Sequence, residues 1–149
     1  MLASNKIGDE ACLVIANILS ENSNIKELHM DDGEIGDKGI TGLARALEKN
    51  AKLEKLYLGK QYIKIIDKNQ VGDMGAIEIA KALKINKKLN ELHLGTNKIG
   101  EAGALALADA LGKNSGLSEL YLGKSKHKGL RVQFVQREWQ KSHEQSKRD

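Results

Sequence analysis

Four ring-bearing residues share one offset in this chain: His29, Tyr57, His93 and Tyr121 each follow a leucine directly, at Leu28, Leu56, Leu92 and Leu120. Two positions before each ring a charged residue recurs: Glu27, Lys55, Glu91 and Glu119. Imidazole, phenol and carboxylate together could serve acid–base catalysis, metal ligation or protein recognition. Spacing decides among them. Leucines alternating with polar residues mark short strands, whose successive side chains point to opposite faces. Adjacent strands lie about 4.8 Å apart, which puts His29 and His93, one strand removed from each other, on the order of 10 Å apart. A metal held by histidine at about 2 Å cannot use both. No Ser/His/Asp set or carboxylate pair converges, so neither an enzyme nor a metal or cofactor site is expected. A stripe of tyrosine and histidine beside acidic groups suits a protein or peptide ligand, with Tyr57 and Tyr121 as anchors. Ordinary solvated strand residues would give the same pattern.

Other chemical motifs have simpler readings. Gly123-Lys124-Ser125 looks like the end of a phosphate-binding loop, but Ser118 stands where that loop needs a glycine, and Leu120 and Leu122 belong to a strand. Cys12 falls on the apolar face of a helix pattern, where a cysteine acts as a small hydrophobe. His127 and His143 have no partner at useful spacing.

The elements that position the stripe repeat. Leu89–Gly116 encodes a strand, a bend, a helix and a return in 28 residues. Within it Ala104, Leu107, Ala108 and Leu111 fall at i, i+3, i+4 and i+7, one stripe of a helix. Strand positions recur as Ile25-Leu28-Met30, Leu53-Leu56-Leu58, Leu89-Leu92-Leu94 and Leu117-Leu120-Leu122. The bend column is Asn5, Gly33, Asn69 and Asn97, and a glycine follows three residues on at Gly8, Gly36, Gly72 and Gly100. Those glycines are expected to adopt backbone angles closed to other residues. The alanine column Ala16, Ala44, Ala80 and Ala108 is expected to let helices approach closely. Asn22, Asn50, Asn86 and Asn114 follow the helices and are expected as left-handed C-terminal caps. The bend asparagines are expected to satisfy buried backbone groups, a contribution that Gly33 cannot make. One unit cannot bury its apolar face but a stack can, giving a parallel sheet inside a curve and helices outside.

The motif L-x-x-L-x-L-x-x-N-x-I-G followed by a helix, clearest in Leu89–Gly100, resembles leucine-rich repeat proteins of the ribonuclease-inhibitor type. The resemblance runs from about Leu2 to Leu122. It implies an α/β fold, a right-handed β/α solenoid forming a horseshoe segment, with strands on the concave side and helices on the convex side. The expected organisation is a single domain over residues 1–149. Repeats span about 1–24, 25–52, 53–88, 89–116 and 117–123, followed by a C-terminal cap and basic tail at 124–149.

The third repeat has 36 residues instead of 28, the excess falling in an insertion at 59–68. It contains Tyr62, Ile63, Ile65 and Ile66, which would either bind a partner or fold back over the sheet edge. In the tail, Val132, Val135 and Trp139 share a helical face, so a capping helix is expected there. Residues 124–149 hold eight Lys/Arg and three Asp/Glu, a balance of +5, leaving −1 for the remainder of a chain whose net charge is +4. That basic flank is a weak signal for nucleic acid or an anionic surface. No apolar run is long enough to span a membrane. One cysteine and no Asn-x-Ser/Thr site suggest a cytoplasmic setting. The expected function is non-enzymatic protein binding by the concave face, the insertion, or both. The alternative is a structural or self-assembly unit, a homodimer formed through the open ends and the insertion.

Overall fold

The computed structural model describes residues 6–21, 24–59, 69–124 and 131–135. Tyr62, Ile63, Ile65, Ile66, Trp139, His127, His143, Asn5 and Asn22 therefore lie outside the described residues. Helices and strands alternate as α1 (Gly8–Glu21), β1 (Glu27–His29), α2 (Asp37–Lys49), β2 (Lys55–Tyr57), α3 (Asp73–Ile85), β3 (Glu91–His93), α4 (Glu101–Lys113) and β4 (Glu119–Lys124), followed by β5 (Arg131–Val135). All five strands form one sheet in chain order. β1 to β4 run parallel in perfect step, with Leu28, Leu56, Leu92 and Leu120 opposite one another. This is the expected β/α solenoid segment, with the helices stacked in sequence along one side of the sheet.

The leucine columns make the core. Leu53, Leu56, Leu58, Leu89, Leu92 and Leu94 are fully buried, and Leu19, Leu47 and Leu83 meet them from the helices. Removing such side chains from water is the main force available to a chain so poor in aromatics. Ala16, Ala44 and Ala80 are buried as expected, whereas Ala108 is exposed, because no described helix follows α4.

Polar columns join one repeat to the next. Asn69 donates to the carbonyls of Met30 and Leu58 and accepts from the amides of Gly33 and Ile35. Asn97 likewise donates to Leu58 and Leu94 and accepts from Val71. These bonds satisfy buried backbone groups, as expected for the bend.

Three expectations need correction. Asn50, Asn86 and Asn114 are not left-handed caps, since their φ angles are −77°, −72° and −100°. Their side chains act instead. Asn86 donates to the carbonyls of Leu47 and Asn50 in the preceding repeat and accepts from the amides of Lys88 and Leu89 ahead of the next strand. Asn114 repeats the pattern on Leu83 and Asn86.

Gly8 takes the expected left-handed angle, with φ +63°, but Gly36, Gly72 and Gly100 have ordinary negative φ values of −104°, −98° and −97°. They are small because an aspartate of the preceding helix presses on them. A Cβ at Gly72 would stand 3.0 Å from Asp37 Oδ2, and one at Gly100 2.9 Å from Asp73 Oδ2. The carboxylates cap the next helix: Asp37 Oδ1 accepts from Gly72 and Gly75, Asp73 Oδ1 from Gly100 and Gly103, and Asp9 Oδ1 from Gly36 and Gly39. α2, α3 and α4 thus each receive their N-terminal cap from the preceding helix, where the exposed donors of the first turn and the helix dipole both favour an anion.

The third correction is at the C-terminus. Arg131–Val135 is a strand, antiparallel to β4, with Phe134 opposite Leu120 and Val135 opposite Glu119. Val132 and Phe134 alternate with Arg131 and Gln133, so the segment carries a period of two as well as a helical one. The free edge of β4 offers it backbone partners that a helix would leave unpaired.

Candidate protein-binding face

The sheet face away from the helices gathers both columns singled out by spacing. Register places Glu27, Lys55, Glu91 and Glu119 in one row and His29, Tyr57, His93 and Tyr121 in the next. The strands hold this order because every Leu28-type position is locked into the core beneath them. A slip of one residue in any strand would expose its leucine.

The rings form one continuous stack. His29 lies on Tyr57 with centroids 4.1 Å apart and planes 9° apart. Tyr57 meets His93 at 4.5 Å, and His93 meets Tyr121 at 4.2 Å. Ring stacking at this range adds to the burial of the rings themselves. His93, enclosed by two tyrosines, is only 6% exposed; His29, at the end of the stack, is half-buried. The Tyr57 ring stands between the two histidines.

Carboxylates fasten the stack from the adjoining row. Glu91 Oε1 accepts the Tyr57 hydroxyl at 2.9 Å and lies 2.7 Å from His93 Nε2, while Oε2 meets Lys55 Nζ at 3.1 Å. Glu27 Oε1 is 2.6 Å from His29 Nε2, and Glu119 Oε2 accepts the Tyr121 hydroxyl at 2.8 Å. Burial acts to raise the Glu91 pKa, but the hydrogen bonds from His93, Lys55 and Tyr57 outweigh it and hold the carboxyl below its usual range. Burial, then the bond to Glu91, pushes the Tyr57 phenol up to about 12. The bond to Glu91 also raises Lys55. At neutral pH the face therefore carries an ionised Glu91, a neutral Tyr57 and a charged Lys55.

All eight strand-face residues selected from sequence are brought together. Sequence spacing did not disclose their mutual bonding: Tyr57 and Tyr121 have their hydroxyls satisfied within the face. Tyr62, Ile63, Ile65 and Ile66 lie outside the described residues. Cys12 is fully buried, and its thiol is pushed up to about 12, by desolvation and then by Asp9. Among the described residues no group of His, Cys, Asp and Glu could hold a metal ion, and no helix is long and apolar enough to cross a membrane. The interrepeat aspartates escaped the column reading, although their signal is present as Gly-Asp-x-Gly at Gly36–Gly39 and Gly72–Gly75.

Comparison with known proteins agrees with the geometry. The Leucine Rich repeat family model matches residues 21–44 and 86–108. Among solved structures 48 chains match. One of them, leiomodin-1 actin-binding site 2, is 25% identical with a TM-score of 0.66. The match covers 75% of this chain and 61% of that one, so this chain spans under two thirds of that structure. A search of curated proteins gives no match.

Proposed function

From the premise that the chain is a leucine-rich repeat protein with about four repeats, we propose that it is a non-enzymatic module that binds a protein through the concave strand face. The observation that carries this reading is the bonded stack of His29, Tyr57, His93 and Tyr121. Rings already held in place lose little freedom when a ligand arrives, so their area converts efficiently into affinity. Leucine-rich repeat domains are generally protein-binding, and the similar leiomodin-1 segment is an actin-binding site; both support a protein as ligand. The site proposed comprises Glu27, His29, Lys55, Tyr57, Glu91, His93, Glu119 and Tyr121, with Tyr62, Ile63, Ile65 and Ile66 of the insertion as a further contact. A free, buried cysteine fits a reducing compartment, and the cytoplasm is the location proposed.

The test is capture of partners by the intact chain and by two variants. Charge reversal of Glu27 and Glu119 to lysine alters the strand face, and the same reversal of Glu48 and Glu101 alters the helical side. Loss of a specific partner only in the first variant supports the reading; loss only in the second overturns it.

A second reading, self-assembly into a homodimer, is favoured by one feature. Among the described residues β1 pairs on one side only, with β2, and open edges invite another strand. Light scattering at two concentrations tests it, since a mass that stays at one chain excludes it.

A further inference from the structure

The four carboxylates on the strand face are not equally compensated. Glu54 is met by Lys26 at 3.7 Å and Lys88 at 3.5 Å, and Glu91 by Lys55 at 3.1 Å. Glu27 and Glu119 have no lysine or arginine within ion-pair distance among the described residues. Each is bonded to the ring of its own strand, Glu27 to His29 and Glu119 to Tyr121. Each therefore keeps acceptor capacity, since an ionised carboxylate offers about four lone-pair sites. The Glu27 side chain is 49% exposed.

These two carboxylates occupy equivalent positions on β1 and β4, the outer members of the parallel set. Three strand spacings separate them, about 14 Å. An extended peptide advances about 3.3 Å per residue, so four residues cover about 13 Å. Between the two carboxylates, in their own row, stand Lys55 and Glu91, paired with each other at 3.1 Å; beside that row runs the ring stack, a surface on which planar or apolar side chains can lie. The His29 side chain, 26% exposed, ends the stack among the described residues and offers a ring on which a guanidinium group can lie.

We propose that the strand face takes an extended dibasic segment of a partner protein, with two arginine or lysine residues four positions apart. One cation pairs with Glu27, the other with Glu119, and the residues between them pass the neutralised Lys55–Glu91 pair with their side chains lying on the adjoining rings. The inference rests on the strand face being the binding surface and adds the chemistry of the ligand. Arginine is favoured over lysine, because its planar fork can meet a carboxylate and stack on a ring at once.

The test uses the whole chain and blocked peptides followed by NMR shift mapping. One peptide carries arginines four apart, a second has the same composition with the arginines adjacent, and a third carries glutamates in their place. The spaced peptide should shift resonances of residues 27–29, 55–57, 91–93 and 119–121. Its affinity should fall as salt is raised and drop roughly tenfold in the E27Q/E119Q double variant, the sum expected for two partly exposed pairs. Glutamine keeps an acceptor for His29 and Tyr121, and the salt series on the unaltered chain gives a readout independent of the variant. Equal binding of the adjacent-arginine peptide, an unchanged affinity in E27Q/E119Q, or the absence of shifts on this face overturns the proposal. None of these outcomes decides the broader reading, which fails separately if a captured partner footprints away from the strand face.

Discussion

Replacing Asp37 by alanine should reveal how far one repeat depends on the next. Asp37 Oδ1 accepts from the Gly72 amide at 2.6 Å and the Gly75 amide at 3.0 Å, both at the start of α3. Hydrogen bonds to charged groups contribute about 1.5–3 kcal/mol each. Water can reach this part-buried position and replace some of that. Caps within a single helix contribute about 0.5–2 kcal/mol, and together these values put the loss at about 2 kcal/mol. Asp9→Ala and Asp73→Ala remove the same pair of bonds from α2 and α4 and should cost a similar amount. Glu101 occupies the matching position in α4, is exposed, and caps no described helix; Glu101→Ala should change stability by less than about 0.5 kcal/mol. Urea unfolding at equilibrium separates these cases. With a slope of about 2 kcal/mol/M, Asp37→Ala should lower the midpoint by about 1 M. If Asp37→Ala and Glu101→Ala shift the midpoint equally, capping between repeats is not what the aspartate column provides.

Further outcomes follow from the same bonds. Asn86→Ala strips partners from two buried carbonyls and two amides and should cost about 3 kcal/mol in the same urea assay. The Cys12 thiol, buried and raised to about 12, should resist a thiol reagent in the folded chain at pH 8 and react at once in denaturant. Tyr57, raised to about 12 against an ordinary value near 10, should titrate as a late phase in an ultraviolet absorbance titration of the phenols. The sign follows from linkage: the neutral phenol's contribution to stability is complete below about pH 10 and is lost as pH rises through about 12. Tyr57→Phe should remove that late phase; a late phase that persists would assign the raised phenol to another tyrosine.

The fold was legible because the leucine and alanine columns recur over most of the chain, and each column demands burial on the same face of the same element. Strand-face residues were legible for the complementary reason: the residues adjoining Leu28, Leu56, Leu92 and Leu120 must point away from the core. Spacing alone could not state which groups bond. The grip of Glu91 on Tyr57, His93 and Lys55 depends on rotamers and on a neighbour 34 positions earlier. The glycine column was noticed, but its stated cause holds at Gly8, with φ +63°, and not at the other three positions. Turn conformation is the usual reason for glycine, whereas Gly36, Gly72 and Gly100 are small to admit a carboxylate from the preceding helix. Val132–Val135 fits two periods, and only the open edge of β4 decides for the strand.

The claim that the strand face is the binding surface is tested most directly by carboxyl footprinting of the chain with and without its captured partner. Labelling of Glu27, Glu54 and Glu119 should fall when the partner is bound, while Glu10, Glu48 and Glu101 on the helical side remain as reactive as in the free chain. Protection confined to Glu10, Glu48 and Glu101, with Glu27 and Glu119 unchanged, would contradict it.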